Sequence, residues 1–255
     1  MNPEEFAFAV GVAVLAGGSL GLTLHRLLPE KHVTGGKDMI GAVVGLLTLL
    51  SALVLGLLIW TAYGVYAGQN IAIQTLAAKV LQLDLALADY GPEAKDVRAQ
   101  LRQGLGKTID EIWSANESDA NFVANNFAAA LRNLRNRDAT LAALHPATDA
   151  QTQALAAAKA TVESIGQSRL QMSFALASPV SIPLIVIVVA WAVFLFFGFG
   201  LMSGGNAASF VVVAVGALAV ASAADLILDL SSPYTGVFRA SSAPIEQVLG
   251  VMGKE

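Results

Sequence analysis

Three long stretches of the chain carry no Asp, Glu, Lys or Arg: residues 6–25, 39–78 and 170–224. A helix needs about 20 consecutive apolar residues to cross a bilayer. The first stretch holds one such segment, Phe6–Leu24, and the second holds one, Ile40–Tyr66, with polar residues after it. The third holds two, Pro183–Leu201 and Ala207–Leu228, separated at "MSGGN" (202–206). The pattern predicts four membrane spans.

Between the second and third spans lies a polar block, 67–178, with ten Lys or Arg and eleven Asp or Glu. Its apolar positions keep helical spacing. In "QNIAIQTLAAKVLQLDLALADYG", Ile73, Leu76, Val80, Leu83 and Leu87 recur at intervals of three and four, a coiled-coil-like stripe. No breaker separates it from the second span, so one continuous helix is expected, ended by Gly91-Pro92. A second helix is expected over Glu93–Trp113, with Val97, Leu101, Leu105 and Ile112 inward. A third is expected over Ser118–Leu144, with Phe122, Phe127, Leu131, Leu134 and Leu141. After Pro146, Thr148 and Gln151 form a capping-box pattern. From there Leu155, Ala158, Val162, Ile165, Arg169, Met172 and Leu176 make a second stripe with a charge in its seam. Pro233 disfavours helix in the residue before it, so the fourth span ends near Ser231–Ser232. The tail puts Ile245, Val248, Leu249 and Met252 on one face, a short amphipathic helix lying on the bilayer or docked on the polar block.

The fold expectation is therefore an all-α integral membrane protein with four transmembrane helices and a helical extramembrane bundle between spans 2 and 3. Its parts are 1–66 (spans 1 and 2), 67–178 (the bundle), 179–230 (spans 3 and 4) and 231–255 (a turn and the short C-terminal helix).

Composition agrees. The 255 residues are 55% hydrophobic and 13% charged, where a soluble domain carries about 25% charged residues. The head, "MNPEE", is acidic where a signal peptide is basic, so the first span is expected to be retained. The absence of cysteine excludes disulfides, thiolate metal sites and Cys nucleophiles. A net charge of −4 and the lack of a dense basic patch argue against nucleic acid. Orientation is tied by charge: Arg26, Lys31 and Lys37 flank one side, and Lys79, Arg169 and Arg239 the other.

Asp225 and Asp229 are the sharpest chemical signal. They stand four residues apart in the last turns of the fourth span. Asp at the centre of a span costs about 2.5–3.5 kcal/mol, carboxylates at a helix C-terminus oppose the macrodipole, and like charges at i, i+4 repel. Something must offset these terms. One reading is an ion pair, since Lys79, Arg169 and Arg239 fall on the same membrane side and Arg169 interrupts an apolar seam. The others are the mouth of an ion path, a cation site or a proton relay.

Small residues pair at i, i+4 as Gly17 and Gly21, Gly41 and Gly45, and Gly64 and Gly68. Such faces let helix backbones approach closely, in an oligomer or a tight bundle, although Gly is also common in membrane helices. The second span is mildly polar at Thr48, Ser51, Thr61, Tyr63, Tyr66, Gln69 and Asn70. It either lines a watery path or bonds its hydroxyls back to its own carbonyls. Trp60, Tyr63 and Tyr66 sit where an aromatic interface belt belongs. No HExxH, GxxxxGK[ST] or GxSxG is present, and His25, His32 and His145 are scattered. No catalysis, cofactor or metal site is expected.

The plan of two spans, a helical insert, "SRLQMS" leading through a Pro to two more spans, and "DLILDLSSPYTGVFRASSAPI" resembles the bacterial bestrophin-like membrane proteins, a family of largely unassigned function. Its members tend to have an Arg before the third span and an acidic residue, a Pro and a Gly after the fourth. Arg169, Asp229, Pro233 and Gly236 stand at those places, and the resemblance spans about residues 40–250. The chain departs from the family at "GQNIAIQT", where members often carry charge as the second span ends.

The resemblance implies distant similarity to bestrophins, which are pentameric anion channels with a cytosolic helical domain and a pore lined by the second span. It thereby implies a homo-oligomer in the bacterial inner membrane, with the insert and both termini cytosolic. Thr48, Ser51, Leu55 and Ile59 would line the path, Asp225 and Asp229 would set the field at one mouth, and Arg169 would be their structural partner. Ions and the lipid bilayer are the expected partners. Carboxylates suit an anion mouth only if neutralised. Two other functions compete: a membrane-anchored scaffold or sensor whose helical domain binds a partner, and an intramembrane enzyme using a metal or lipid at the Asp pair.

Overall fold

A computed structural model of the chain describes residues 3–27, 30–113, 141–177, 181–203, 206–234 and 237–252. Among the described residues there is no strand. The helices are α1 (Pro3–Leu27), α2 (Glu30–Tyr90), a 3-10 turn (Pro92–Ala94), α3 (Lys95–Trp113), α4 (Asp149–Ala177), α5 (Ile182–Met202), α6 (Ala207–Leu230) and α7 (Ala243–Val251). Four are long and apolar enough to cross a membrane: α1, α2, α5 and α6. Residues 118–140 of the helix expected over Ser118–Leu144, the side chain of Ile112, Gly236 and the centre of the "MSGGN" turn lie outside the described residues. Leu141, the last of that helix's expected inward residues, is buried in the core.

The described chain divides into two compact units. The first comprises Met1–Gly64 and Val180–Ser231. Here α1 packs along both α5 and α6, around Val10, Val14, Ala192, Ala217 and Ala224. Gly17 and Gly21 are the expected close approach. A Cβ on Gly17 would stand 2.9 Å from the Val193 carbonyl oxygen. A Cβ on Gly21 would meet the Phe197 carbonyl oxygen and lie 2.9 Å from the Leu201 nitrogen. Gly200 of α5 meets the α1 backbone in the same way, against Gly18 and Leu22. These obstacles are backbone, which cannot rotate aside, so small residues set the α1–α5 spacing. The other two pairs differ: a Cβ on Gly41 would lie 3.4 Å from the Met202 Cε, and among the described residues a Cβ on Gly45, Gly64 or Gly68 would meet nothing of another element within 4 Å.

Helix ends in this unit are satisfied locally. The Asn206 Oδ1 accepts from the Ser209 backbone N–H at 2.9 Å, an N-cap for α6. His25 Nδ1 lies 2.8 Å from the Leu201 carbonyl, one of the last of α5. A carbonyl only accepts, so Nδ1 carries the proton and serves an orphan acceptor.

The second unit comprises Val65–Pro179 and Ser232–Glu255. The two predicted stripes meet in its core: Ile73, Leu76, Val80, Leu83 and Leu87 of α2 with Leu155, Ala158, Val162 and Ile165 of α4. Leu101 and Leu105 of α3 join them. So do Ile245, Val248 and Met252 from the C-terminal segment, so α7 takes the docked of its two expected positions. The α2 helix stops where Gly91 adopts φ 113°, a left-handed conformation that suits glycine. Pro92 then opens the 3-10 turn into α3. At the start of α4 the Thr148 Oγ1 accepts from Gln151 N at 3.2 Å, and Gln151 Oε1 accepts from Ala147 N at 2.8 Å. The capping box forms, with its return bond one residue earlier than the usual pattern.

Gly21→Ala is expected to destabilise the protein by about 1–3 kcal/mol, the cost of overpacking a close contact. Gly104→Ala, in α3 with nothing within 4 Å, is expected to stabilise it by about 0.5–1 kcal/mol through helix propensity. Thermal unfolding of the two variants in detergent, against the parent protein, checks both signs.

Candidate functional site

The expected path face is on α2. The Thr48 hydroxyl donates to the Val44 carbonyl at 2.8 Å, and that of Thr61 to the Leu58 carbonyl at 2.9 Å. For these two the back-bonded reading applies. Ser51 is different: its Oγ is shut off from solvent and has no hydrogen-bond partner among the described residues. Ser51, Leu55 and Ile59 are half-buried and Thr48 is exposed. At 3.6 residues per turn these four share one side of the helix. Leu46, Leu53 and Leu57 occupy the opposite side and are exposed. Trp60 and Tyr63 are exposed too. In its most apolar 18-residue window α2 has a mean hydropathy of 2.7 with 11% of residues buried, against 39% for α1.

The carboxylate pair is on α6, in the first unit. Asp225 is half-buried. It lines a groove of about 490 Å³ between α1 and α6, with Glu4 and Phe8 of α1 beside it. Asp229, one turn on, is buried at 8% exposure. The helix ends at Leu230, where the Ser231 hydroxyl donates to the Ile227 carbonyl at 2.6 Å.

Lys79, Arg169 and Arg239 belong to the second unit. Lys79 Nζ donates to Ser168 Oγ at 2.7 Å and to the Ser164 carbonyl at 3.4 Å, both on α4. Arg169 is half-buried on α4 and Arg239 is exposed. Among the described residues no group of three or more His, Cys, Asp or Glu could hold a metal ion.

The second unit also contains a polar junction. Gln69 continues the buried stripe of α2, four residues before Ile73, and is 2% exposed. Its Nε2 donates to the Met172 carbonyl at 3.2 Å, and its Oε1 accepts from the Tyr234 hydroxyl at 2.9 Å. The amide orientation follows, because a carbonyl only accepts. Pro233 beside Tyr234 is fully buried. The Trp113 ring stands edge-on to Tyr234, with centroids 6.0 Å apart, and its Nε1 donates to the Ala240 carbonyl at 2.7 Å. Ala240 N in turn donates to the Pro233 carbonyl at 2.7 Å.

Burial pushes the Tyr234 phenol well above its ordinary range, an effect partly offset by the Arg169 charge. The phenol therefore stays protonated and keeps donating to Gln69 at neutral pH. Sequence reasoning singled out Pro233 and Arg169 but missed Tyr234, Trp113 and the role of Gln69. The available signal was register: an amide at a seam position has to find a partner.

A family model described as Bestrophin-like domain matches residues 11–245, and the chain belongs to that family. No curated protein and no solved structure matches it.

Tyr234→Phe leaves the buried Gln69 Oε1 without its donor and is expected to cost about 1–3 kcal/mol. Adding Gln69→Leu is expected to cost less than the sum of the single changes, because the second removes the orphaned group. Because its folded-state pKa is raised, Tyr234 contributes stability below the ordinary tyrosine value of 10 and loses it as pH rises beyond. Thermal midpoints of the three variants, followed into alkaline pH, check the coupling and its sign.

Proposed function

We propose that this bestrophin-like protein is a homo-oligomeric ion channel of a bacterial inner membrane, crossed four times by α1, α2, α5 and α6. In this reading α2 lines the path through Thr48, Ser51, Leu55 and Ile59. Asp225 and Asp229 set the field at one mouth, and Arg169, Lys79 and Arg239 supply basic groups on the same membrane side. The helical insert and both termini face the cytosol, and no catalysis is involved.

The observation that carries this reading is the surface of α2. It is among the most apolar helices of the chain, and its own chain covers it least. Apolar area left in water costs about 25 cal/mol per Å², so this helix has to meet lipid, further copies of the chain, or both. Thr48 and Ser51 put two hydroxyls of this stretch on the proposed path face, and Thr48 is exposed there. The family supports the channel class. The scaffold reading stands as the competing outcome of the same experiment.

Purified protein reconstituted in liposomes is expected to pass ions. Asp225→Asn is expected to shift the permeability ratio towards anions, because a mouth carboxylate concentrates cations. Flux assays with imposed potentials, combined with the subunit number of the purified particle, check this. A ring of subunits that conducts supports the channel. A monomer or dimer with no flux at any potential or pH overturns it in favour of the scaffold.

A further inference from the structure

A cleft of about 850 Å³ opens in the second unit, walled by the end of α2, the Gly91-Pro92 turn, α3 and Met252. This is the volume of a small-molecule site, which typically spans about 300–1,000 Å³. Lys95, Arg98 and Arg102 all line it. They are spaced three and four residues apart on α3, so they share one face. Asp84 is the one acidic group in the lining.

Asp84 is already engaged. It is 4% exposed, and both its oxygens accept from Arg98, Nε to Oδ1 and Nη2 to Oδ2, each at 2.8 Å. This bidentate pair holds the guanidinium in the cleft wall and neutralises the buried carboxylate. Lys95 and Arg102 are exposed, and no described residue bonds either side chain. Like charges on one helix face repel, and an anion between them would turn that repulsion into attraction. Lys95 is also the first residue of α3, where the helix dipole favours negative charge. The remaining wall includes Ala88, Pro92, Ala99 and Met252, which are apolar.

We propose that this cleft binds a phosphate-bearing organic anion of nucleotide size. Lys95 and Arg102 hold the phosphate beside the fixed Arg98, and the apolar wall takes the organic part. Beyond the Arg98–Asp84 pair, Lys95 and Arg102 leave two uncompensated cations in the lining, which match a multiply charged anion, and the Arg102 guanidinium fork matches phosphate oxygens. The site stands independently of the channel reading, because binding is measurable whether or not the protein conducts.

The test is calorimetric titration of the full-length protein in detergent with ATP and, separately, with inorganic pyrophosphate. Saturable ATP binding is expected, tighter than pyrophosphate and weakened by added salt. The exposed double change Lys95→Ala and Arg102→Ala is expected to weaken it about tenfold or more, because it removes the charge-assisted hydrogen bonds of both side chains to the phosphate, with the thermal midpoint unchanged. No saturable binding of either anion at low salt, or unchanged affinity in the double variant, overturns the proposal. Equal affinity for ATP and pyrophosphate overturns the role of the apolar wall.

Discussion

Helix α2 runs unbroken from Glu30 to Tyr90, and its own chain covers its two parts very differently. Beyond Val65 its stripe is packed into the core of the second unit. Before Gly64 it exposes Leu46, Leu49, Leu53, Leu57 and Trp60. The backbone hydrogen bonds are the same throughout; what changes is where the apolar area goes. In the second unit that area is removed from water by α3, α4 and α7. In the first the same helix keeps its apolar side chains exposed, as a member of a membrane-protein family can. Packing elsewhere in the first unit sharpens the contrast. Gly17, Gly21 and Gly200 let α1 and α5 touch backbone to backbone, whereas among the described residues a Cβ on Gly45 or Gly56 of α2 would meet no other element within 4 Å.

The segment after α6 is the other fixed point. Pro233 and Tyr234 are buried in the second unit. There Tyr234 bonds Gln69 of α2, and Trp113 of α3 bonds the Ala240 carbonyl. Arg169, placed by its sequence in an apolar seam, lies close enough to act on the Tyr234 phenol. Both of these hydrogen bonds are between neutral groups.

Much of this was legible in the sequence. Spacing of three and four gave the stripes of α2 and α4, Gly91-Pro92 gave the stop, and Thr148 with Gln151 gave the cap. These signals are local, and the structure follows them. The start of α2 was less legible. The apolar run begins at Ile40, yet the helix begins at Glu30, because hydrophobicity marks the segment that leaves water and hydrogen bonding marks the helix. Long-range polar pairing was not legible at all. Tyr234 and Gln69 are 165 residues apart, and periodicity carries no record of which distant group satisfies a seam amide. Asp84 with Arg98 is an intermediate case: the partners face each other across the Gly91 turn, and only the folded hairpin brings them to 2.8 Å.

In the proposed channel one side of α2, through Thr48, Ser51, Leu55 and Ile59, meets water in the assembled protein. The chain has no cysteine, so single substitutions report without background. The direct measurement is the reaction of Thr48→Cys, Ser51→Cys, Leu55→Cys and Ile59→Cys, in reconstituted protein, with a charged, membrane-impermeant thiol reagent. Modification is expected on this side together with a change in ion flux, and protection at Leu46→Cys, Leu53→Cys and Leu57→Cys on the opposite side. Four inert thiols on the Ser51 side, or modification confined to the Leu53 side, would contradict it.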